Sequence, residues 1–471
     1  MASPNTTPKP ISQSQGRSRE WISGRTRSAS SAVIASRPGR PGCVGAGLRG
    51  STAAECEPGC TTMMASSSQP RSAYVHIPFC HRRCFYCDFP VVPLGDRADG
   101  TTSRSVAEYL RWLEEEIGSS PPGPPLSTVY IGGGTPSLLG AAQVAWLLAL
   151  LDNQFGLAPG AEITMELDPE DICAERLAGY HAAGVNRISL GAQSFDNGLL
   201  AAAGRRHSRQ DIETAVALLK AEGLSRWSLD LISGLPGLTP ALWEVTLDTA
   251  LSLSPPHVSL YDLTIGEATV FDRWLEQGRL CLPPEATTAT MLDRAAERLG
   301  AAGLRRYEIS SYALPGHACR HNRTYWGGGD WWGFGMGATS SVAGRRLTRP
   351  RTRGGYQAWL HGPRDGTYPP TSVKERLEDL LITGLRRSEG VNRQQLAQQC
   401  SLPPKALMTL SPRLERDCAQ GLLCCEGPYL RLSQPQGFRF SNQVLADCLL
   451  WVEKLFAPGG AAHDTSFVAP A

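Results

Sequence analysis

No stretch of the sequence approaches the roughly 18 consecutive apolar residues that a membrane span requires, so a transmembrane helix is excluded and the chain reads as soluble. It also lacks a charge imbalance. Forty-six Lys and Arg stand against 44 Asp and Glu, a net charge of +2, which gives no support to a nucleic-acid or acidic-membrane partner. A disulfide framework is missing as well. Such frameworks belong to short, cysteine-dense secreted chains, whereas here 14 cysteines are spread over 471 residues. Residues 1–71 contain no Asp and only Glu20, Glu55 and Glu57 as acids, against nine basic residues. They hold no apolar core of a secretory signal either, so secretion is excluded for this leader.

What is present is enough chain for two or three domains, with 41% hydrophobic residues to fill their cores. The acid-poor, Ser- and Arg-rich leader of residues 1–71 has the composition of an organelle transit peptide. A disordered tail, or upstream sequence before a second start at Met63, gives the same composition. Cys173, Cys281, Cys400 and Cys448 read as buried small hydrophobes. The adjacent pair Cys424–Cys425 has no reading.

From Ser72 the pattern changes. Short apolar segments rich in β-branched and aromatic residues ("SAYVHI", "STVYIGG", "EITMELD", "NRISLGAQ", "RWSLDLI", "HVSLYDL") alternate with helical stretches such as "SVAEYLRWLEEEIG" and "SRQDIETAVALLKAEG". At least six alternations predict parallel strands with right-handed crossovers. Six units are too few for a closed eight-unit barrel, so an open or partial barrel is favoured over a doubly wound sheet. The α/β region spans 72–345. Residues 346–371, which include most of "GRRLTRPRTRGG", read as a linker. Three helices and a hairpin over 372–455 suit a small winged-helix-like domain, followed by a disordered tail over 456–471.

The chemistry concentrates in "HIPFCHRRCFYCDFP", where Cys80, Cys84 and Cys87 follow C-x3-C-x2-C. Structural zinc wants four protein ligands, usually in two pairs. Here there are three thiols in one loop and no second pair. A [4Fe–4S] cluster normally takes four thiolates; with three, one iron keeps a site for a chelating small molecule. Downstream, Gly132, Gly133, Gly134 and Thr135 end the second strand, where a glycine run permits close backbone approach to a ligand or simply makes a tight turn. Glu166, Gln193 and Asp230 fall in or at the ends of the third, fourth and fifth strands. Parallel α/β folds bind ligands at strand C-termini.

The triplet, with aromatic Tyr86 just before its last cysteine, resembles the signature of the radical S-adenosylmethionine (SAM) family. The likeness continues through "IGGGTPSLL", "MELDPE", "RISLGAQSF", "DLISGLP", "YEISSYA" and "HNRTYW". In this order the motifs resemble the coproporphyrinogen-dehydrogenase-like branch, and within it the HemW-type haem chaperones. The resemblance implies a partial (β/α)6 barrel with a C-terminal domain like that of the dehydrogenases. It implies Cys80, Cys84 and Cys87 as cluster ligands, and Gly133, Gly134 and Thr135 as contacts to the amino group and carboxylate of the SAM methionine. Tyr74 would lie near the cluster, and Glu166 would bind a ribose hydroxyl. Tyr86, Gln193, Arg205 and Asp230 match positions around SAM in the dehydrogenases. Those decarboxylating relatives carry a further cysteine two residues after the third; Phe89 stands there, preceded by Asp88, so their activity does not carry over. Thr339 replaces a histidine found in many relatives.

His321, opening "HNRTYW", is either an axial haem ligand or a loop histidine held by hydrogen bonds. "DWWGFG" at 330–335 reads as packing. The leading expectation is a haem chaperone with a SAM-binding [4Fe–4S] cluster, haem as cargo, haem-acceptor proteins as partners, and an electron donor if the cluster turns over. Coproporphyrinogen III oxidation is the alternative. A nucleic-acid-modifying radical enzyme is a third reading, disfavoured because residues 372–450 carry no basic stripe. The leader points to an organelle, and the plant- or alga-like spelling of "YCDFP", "RWSLDLISGLP" and "GMGATSSV" points to a chloroplast, with a mitochondrial or cytoplasmic location as alternatives.

Overall fold

The computed structural model describes residues 69–96, 98–362 and 371–462. The expected leader therefore lies outside the described residues, except for its last three. Arg71 already belongs to the fold: its carbonyl accepts from the Ser127 N–H at 2.7 Å.

Strand β1 (Ser72–Ile77) is buried along nearly its whole length, as a strand covered on both faces must be. Helix α1 (Arg104–Gly118) follows. Ser103 caps it by accepting from the Val106 N–H, and buried Val106, Leu110, Leu113 and Ile117 form its inward stripe. The chain then alternates through β2 (Leu126–Gly133), α2 (Ala141–Phe155), β3 (Leu157–Leu167), α3 (Ala174–Ala182), β4 (Arg187–Gln193), α4 (Arg209–Ala221), β5 (Trp227–Ser233), α5 (Pro240–Ser252), β6 (His257–Asp262) and α6 (Glu285–Ala301). A Ser208–Asp211 capping box starts α4, and Thr239 followed by Pro240 starts α5. Strands β1 to β6 pair in chain order, all parallel. This is the six-unit partial barrel that the alternation predicts.

Three strands extend the edges. β7 (Ser311–Ala313) pairs antiparallel with β6, and Arg305–Arg306 pairs antiparallel with β7 outside it. After helix α7 (Arg320–Trp326), β8 (Trp332–Phe334) pairs parallel with β1. "DWWGFG" is thus an edge strand, with Trp332 and Phe334 packed on Phe155, in line with the packing reading.

The expected linker over 346–371 is a correction. The hairpin β9 (Thr339–Val342) and β10 (Arg345–Thr348) leads into buried Arg349 and helix α8 (Arg353–His361), which Thr352 caps. Arg349 Nε donates to Glu116 Oε1 at 2.7 Å, and the Tyr356 hydroxyl to Glu116 Oε2 at 2.6 Å. The basic run is not a solvated connector because α1 supplies a buried carboxylate for it. Residues 363–370 lie outside the described residues.

The C-terminal module holds α9 (Val373–Gly384), α10 (Arg393–Gln399), α11 (Pro412–Ala419), the hairpin β11 (Leu423–Glu426) and β12 (Tyr429–Leu432), and α12 (Ser441–Phe456). Val391–Asn392 pairs with β12 as a third strand. The three helices and hairpin stand where expected, and α12, packed along α9 and α11, completes a separate apolar core. Ala462 folds back to donate its N–H to the Leu455 carbonyl, so the first residues of the expected tail are ordered; residues 463–471 lie outside the described residues. No helix among the described residues is long and apolar enough to cross a membrane. Of the cysteines expected to be buried, Cys400 and Cys448 are, whereas Cys173 and Cys281 are exposed.

Candidate metal and cofactor centre

A cavity of about 430 Å³ opens at the C-terminal ends of β2 to β6, lined on one side by the cysteine loop. Three anchors hold the loop. Phe79–Cys80 pairs with Val92–Pro93, the Phe85 N–H donates to the Ala203 carbonyl at 3.0 Å, and the Phe85 carbonyl accepts from the Phe271 N–H at 2.9 Å. The Phe85 ring packs edge-on against Trp274, while Tyr86 faces Phe271. The two aromatic residues between the second and third cysteines thus fasten the loop to the barrel, and Cys80, Cys84, Cys87 and Tyr86 all border the cavity.

Burial pushes the Cys80 thiol up to about 12, with the Thr135 hydroxyl hydrogen bond pulling the other way, and pushes Cys87 up to about 11. Positive charge arrives from Arg205, whose Nη1 lies 3.6 Å from Cys84 Sγ. Its Nη2 donates to Asp168 Oδ2 at 2.7 Å and to the Gly191 carbonyl at 3.0 Å. Although burial raises the Asp168 carboxyl, Arg205 and then His207 hold it well below the usual carboxylate range. Asp168 and His207 were not singled out from the sequence. The signal for Asp168 was its place directly after β3 in "MELDPE".

The glycine run is built for close packing. A Cβ on Gly133, whose φ is +117°, would lie 2.4 Å from His76 Nδ1, and one on Gly134 would lie 2.7 Å from the Phe79 carbonyl oxygen. The N–H groups of Gly133, Gly134 and Thr135 go to Glu166 Oε2 at 2.9 Å, Ile77 O at 2.8 Å and Phe79 O at 2.7 Å. The run borders the cavity, with its N–H groups engaged inside the chain.

Glu166 also accepts from the Tyr130 hydroxyl at 2.9 Å. Burial raises its carboxyl to about 7, against the opposing hydrogen bonds from Gly133 and Tyr130. Asp230 is likewise raised by burial, although Ser259, Ser189 and Ser228 donate to it; the Ser189 bond is 2.8 Å. Gln193 ends β4 with φ at +63° and a register shift in the pairing to β5, a left-handed conformation that costs a non-glycine residue about 1–2 kcal/mol. Such strain concentrates at functional sites. Glu166, Gln193, Arg205 and Asp230 all face the cavity, and Phe89 stands 54% exposed at its rim.

Two expected site residues lie elsewhere. Tyr74 is not among the cavity-lining residues; its hydroxyl meets His76 Nδ1 at 2.9 Å, and its ring lies near Tyr130. It supports the floor from behind. His321 is fully buried on α7, in a helix rather than a loop. Its Nδ1 meets the Thr128 hydroxyl at 2.8 Å and its Nε2 the Tyr325 hydroxyl at 2.7 Å. Burial lowers it to about 3. With both nitrogens engaged in the core, it is not poised as an axial ligand. Thr339 sits in the β9–β10 hairpin, bonded to Thr348 at 2.8 Å.

These residues fit an iron–sulfur cluster with a small molecule beside it. Three thiols and a guanidinium share one cavity, and Arg205 Nε is buried there without a partner. Among the described residues no group of three His, Cys, Asp or Glu side chains converges on a single-ion site.

The comparisons agree with this geometry. The radical SAM superfamily model matches residues 74–250. The heme chaperone HemW of Synechocystis is 45% identical over 332 residues, covering 69% of this chain and 80% of that protein. HemW of Bacillus subtilis is 34% identical over 79% of this chain and 98% of its own length. Mouse "radical S-adenosyl methionine domain-containing protein 1, mitochondrial" is 33% identical over 78% and 85%. Among solved structures, the coproporphyrinogen III oxidase HemN of Escherichia coli superposes with a TM-score of 0.68 at 23% identity, over 82% of this chain and 91% of that one; this likeness supports the fold.

Proposed function

The chain belongs to the HemW family of radical SAM proteins, and on that premise we propose that it is a haem chaperone, which binds haem and passes it to acceptor proteins. The observation that carries this reading is the near end-to-end match to curated haem chaperones, C-terminal module included. Phe89 supports it: the position of the fourth cysteine of the decarboxylating relatives is taken by a phenyl ring at the rim. That removes a thiol and adds an apolar surface beside the cavity mouth.

Cys80, Cys84 and Cys87 would hold the [4Fe–4S] cluster through three irons, with SAM beside it. When bound, this pair supplies one-electron chemistry. The chain's own part is positional. The Phe85 and Tyr86 anchors fix the cysteine loop, Arg205 brings positive charge to the cluster side, and Glu166 and Asp230 offer buried acceptors to a bound ligand. Turnover of the cluster would require an electron donor. The acid-poor leader supports import into an organelle, and the plant- or alga-like motifs of the chain favour a plastid.

The test is a haem titration of the anaerobically reconstituted protein, followed by incubation with an apo-acceptor. The expected outcome is haem binding near one per chain, transfer to the acceptor, and coproporphyrinogen III left unchanged in the presence of reductant and SAM. Conversion of coproporphyrinogen to protoporphyrinogen above background would replace the chaperone reading with the enzyme.

A further inference from the structure

Arg393 opens α10 at 3% exposure, in surroundings where a guanidinium ordinarily has a carboxylate beside it. Its oxygen acceptors are instead backbone carbonyls. Nη1 donates to Met408 at 2.9 Å and Leu407 at 3.4 Å, Nη2 to Gly427 at 2.6 Å, and Nε to Pro428 at 3.5 Å. Its remaining acceptor is Cys425 Sγ, 3.2 Å from Nη2. Of these hydrogen-bond partners, only the thiol can take a negative charge. Cys425 is also exposed. A cysteine that is open to solvent and receives a guanidinium hydrogen bond has the surroundings of a reactive thiol.

A second thiol lies on the helix packed against this strand. Cys418 on α11 packs against the same core as β11. Burial raises its thiol, and Cys425 contributes ahead of Cys424. The strand explains the order. Successive side chains on a strand point to opposite faces. Cys425 pairs with buried Leu430 and so lies on the same face as Leu423, where the hairpin end leaves it exposed, while Cys424 lies on the other face, opposite Arg431.

We propose that Cys425 is a redox-active thiol, with Cys418 as its resolving partner, and that the pair exchanges with small-molecule disulfides. The Cys425 sulfur attacks one sulfur of the external disulfide, forming a mixed disulfide and releasing one thiolate. The Cys418 sulfur then attacks Cys425 Sγ, giving the Cys418–Cys425 bond and releasing the second thiol. The protein dithiol is oxidised, one external disulfide is reduced to two thiols, and the two protein protons leave with them.

The test uses the full chain carrying its cluster, under anaerobic conditions. Iodoacetamide labelling at pH 7, followed by peptide mass mapping, compares Cys425 with Cys281, which is exposed on the barrel module. The expected result is labelling of Cys425 about tenfold faster or more, reduced to within about twofold of Cys281 in Arg393→Met. Glutathione disulfide should then produce a Cys418–Cys425 linked peptide, and in Cys418→Ser the reaction should stop at a glutathione adduct on Cys425. Equal labelling of Cys425 and Cys281 in the parent chain would overturn the proposal, a comparison that needs no variant to fold. Linkage through Cys424, or no exchange with glutathione disulfide, would overturn it equally.

Discussion

Glu166 and His321 have opposite histories. Glu166 was legible because a lone carboxylate in an apolar strand needs a purpose, and the structure aims it into the cavity. Its folded-state carboxyl sits near 7 against an ordinary 4.5. Between those values Glu166 holds more protons in the folded chain than in the unfolded one, so the stability tied to this group is full below about pH 4.5 and falls as pH rises toward 7. Glu166→Gln removes that loss; the amide oxygen can take the Gly133 N–H and the amide nitrogen can donate to Tyr130. The variant should match the parent near pH 4.5 and exceed it at pH 8 by up to about 3 kcal/mol, read from urea midpoints across that range. A constant offset would show that Glu166 is already ionised where it lies. His321 was not legible, because a histidine's role depends on what meets its two nitrogens, and Thr128 and Tyr325 are 193 and 4 residues away. His321→Ala leaves the Tyr325 hydroxyl without its imidazole partner, while Thr128 keeps Ser72 at 2.9 Å, and it opens a cavity, so it should cost about 2–4 kcal/mol in a denaturant melt. Parental stability combined with lost haem binding would mean that α7 opens to present the imidazole. The cysteine triplet was the easiest residue-scale feature, since its spacing along one loop is the site.

Elements were legible where one apolar stripe or one alternating run decides them. Helix α1 announces itself through Val106, Leu110, Leu113 and Ile117, and β1 through its unbroken apolar run. Helix α8 did not, because two glycines follow its first residue and arginines crowd its approach. What makes it a helix is tertiary: Tyr356 is fully buried, and its hydroxyl shares Glu116 with Arg349 and the Gly335 N–H at 2.8 Å. Glu116 thereby joins α1, the end of β8, β10 and α8. Arg349 also donates to Ser340 at 2.6 Å. Removing one member of a buried ion pair leaves the other uncompensated, at about 3–5 kcal/mol. Arg349→Met should lose that much in a thermal or urea melt. The double variant with Glu116→Gln should recover part of the loss, because the stranded carboxylate is gone. If the double variant is as unstable as the sum of the singles, the pair contributes as two independent packing groups.

At the scale of the molecule, the strand–helix alternation made the barrel legible, while its edges came from short segments with no pattern of their own: β7 and β8 have three residues each. The C-terminal module was legible as helices plus a hairpin, yet α12, which closes its core, was missed. The start of the first strand was legible from the change of composition at Ser72, where β1 begins, with its neighbour Arg71 held by Ser127. That boundary sets the last prediction. Residues 69–71 touch the barrel, Gln69 near Gly123 and Arg71 at the start of β2, and they should be kept. A chain starting at Ser66 retains them and both apolar cores, and so should melt within a few degrees of the full-length protein and take up its cluster equally well. The discarded leader, fused to a fluorescent protein, should direct it into plastids of plant or algal cells. Mitochondrial fluorescence would keep the transit reading and change its destination, whereas a diffuse cytosolic signal would remove it. A shortened chain that melts much earlier would show that the leader packs against the barrel and belongs to the fold.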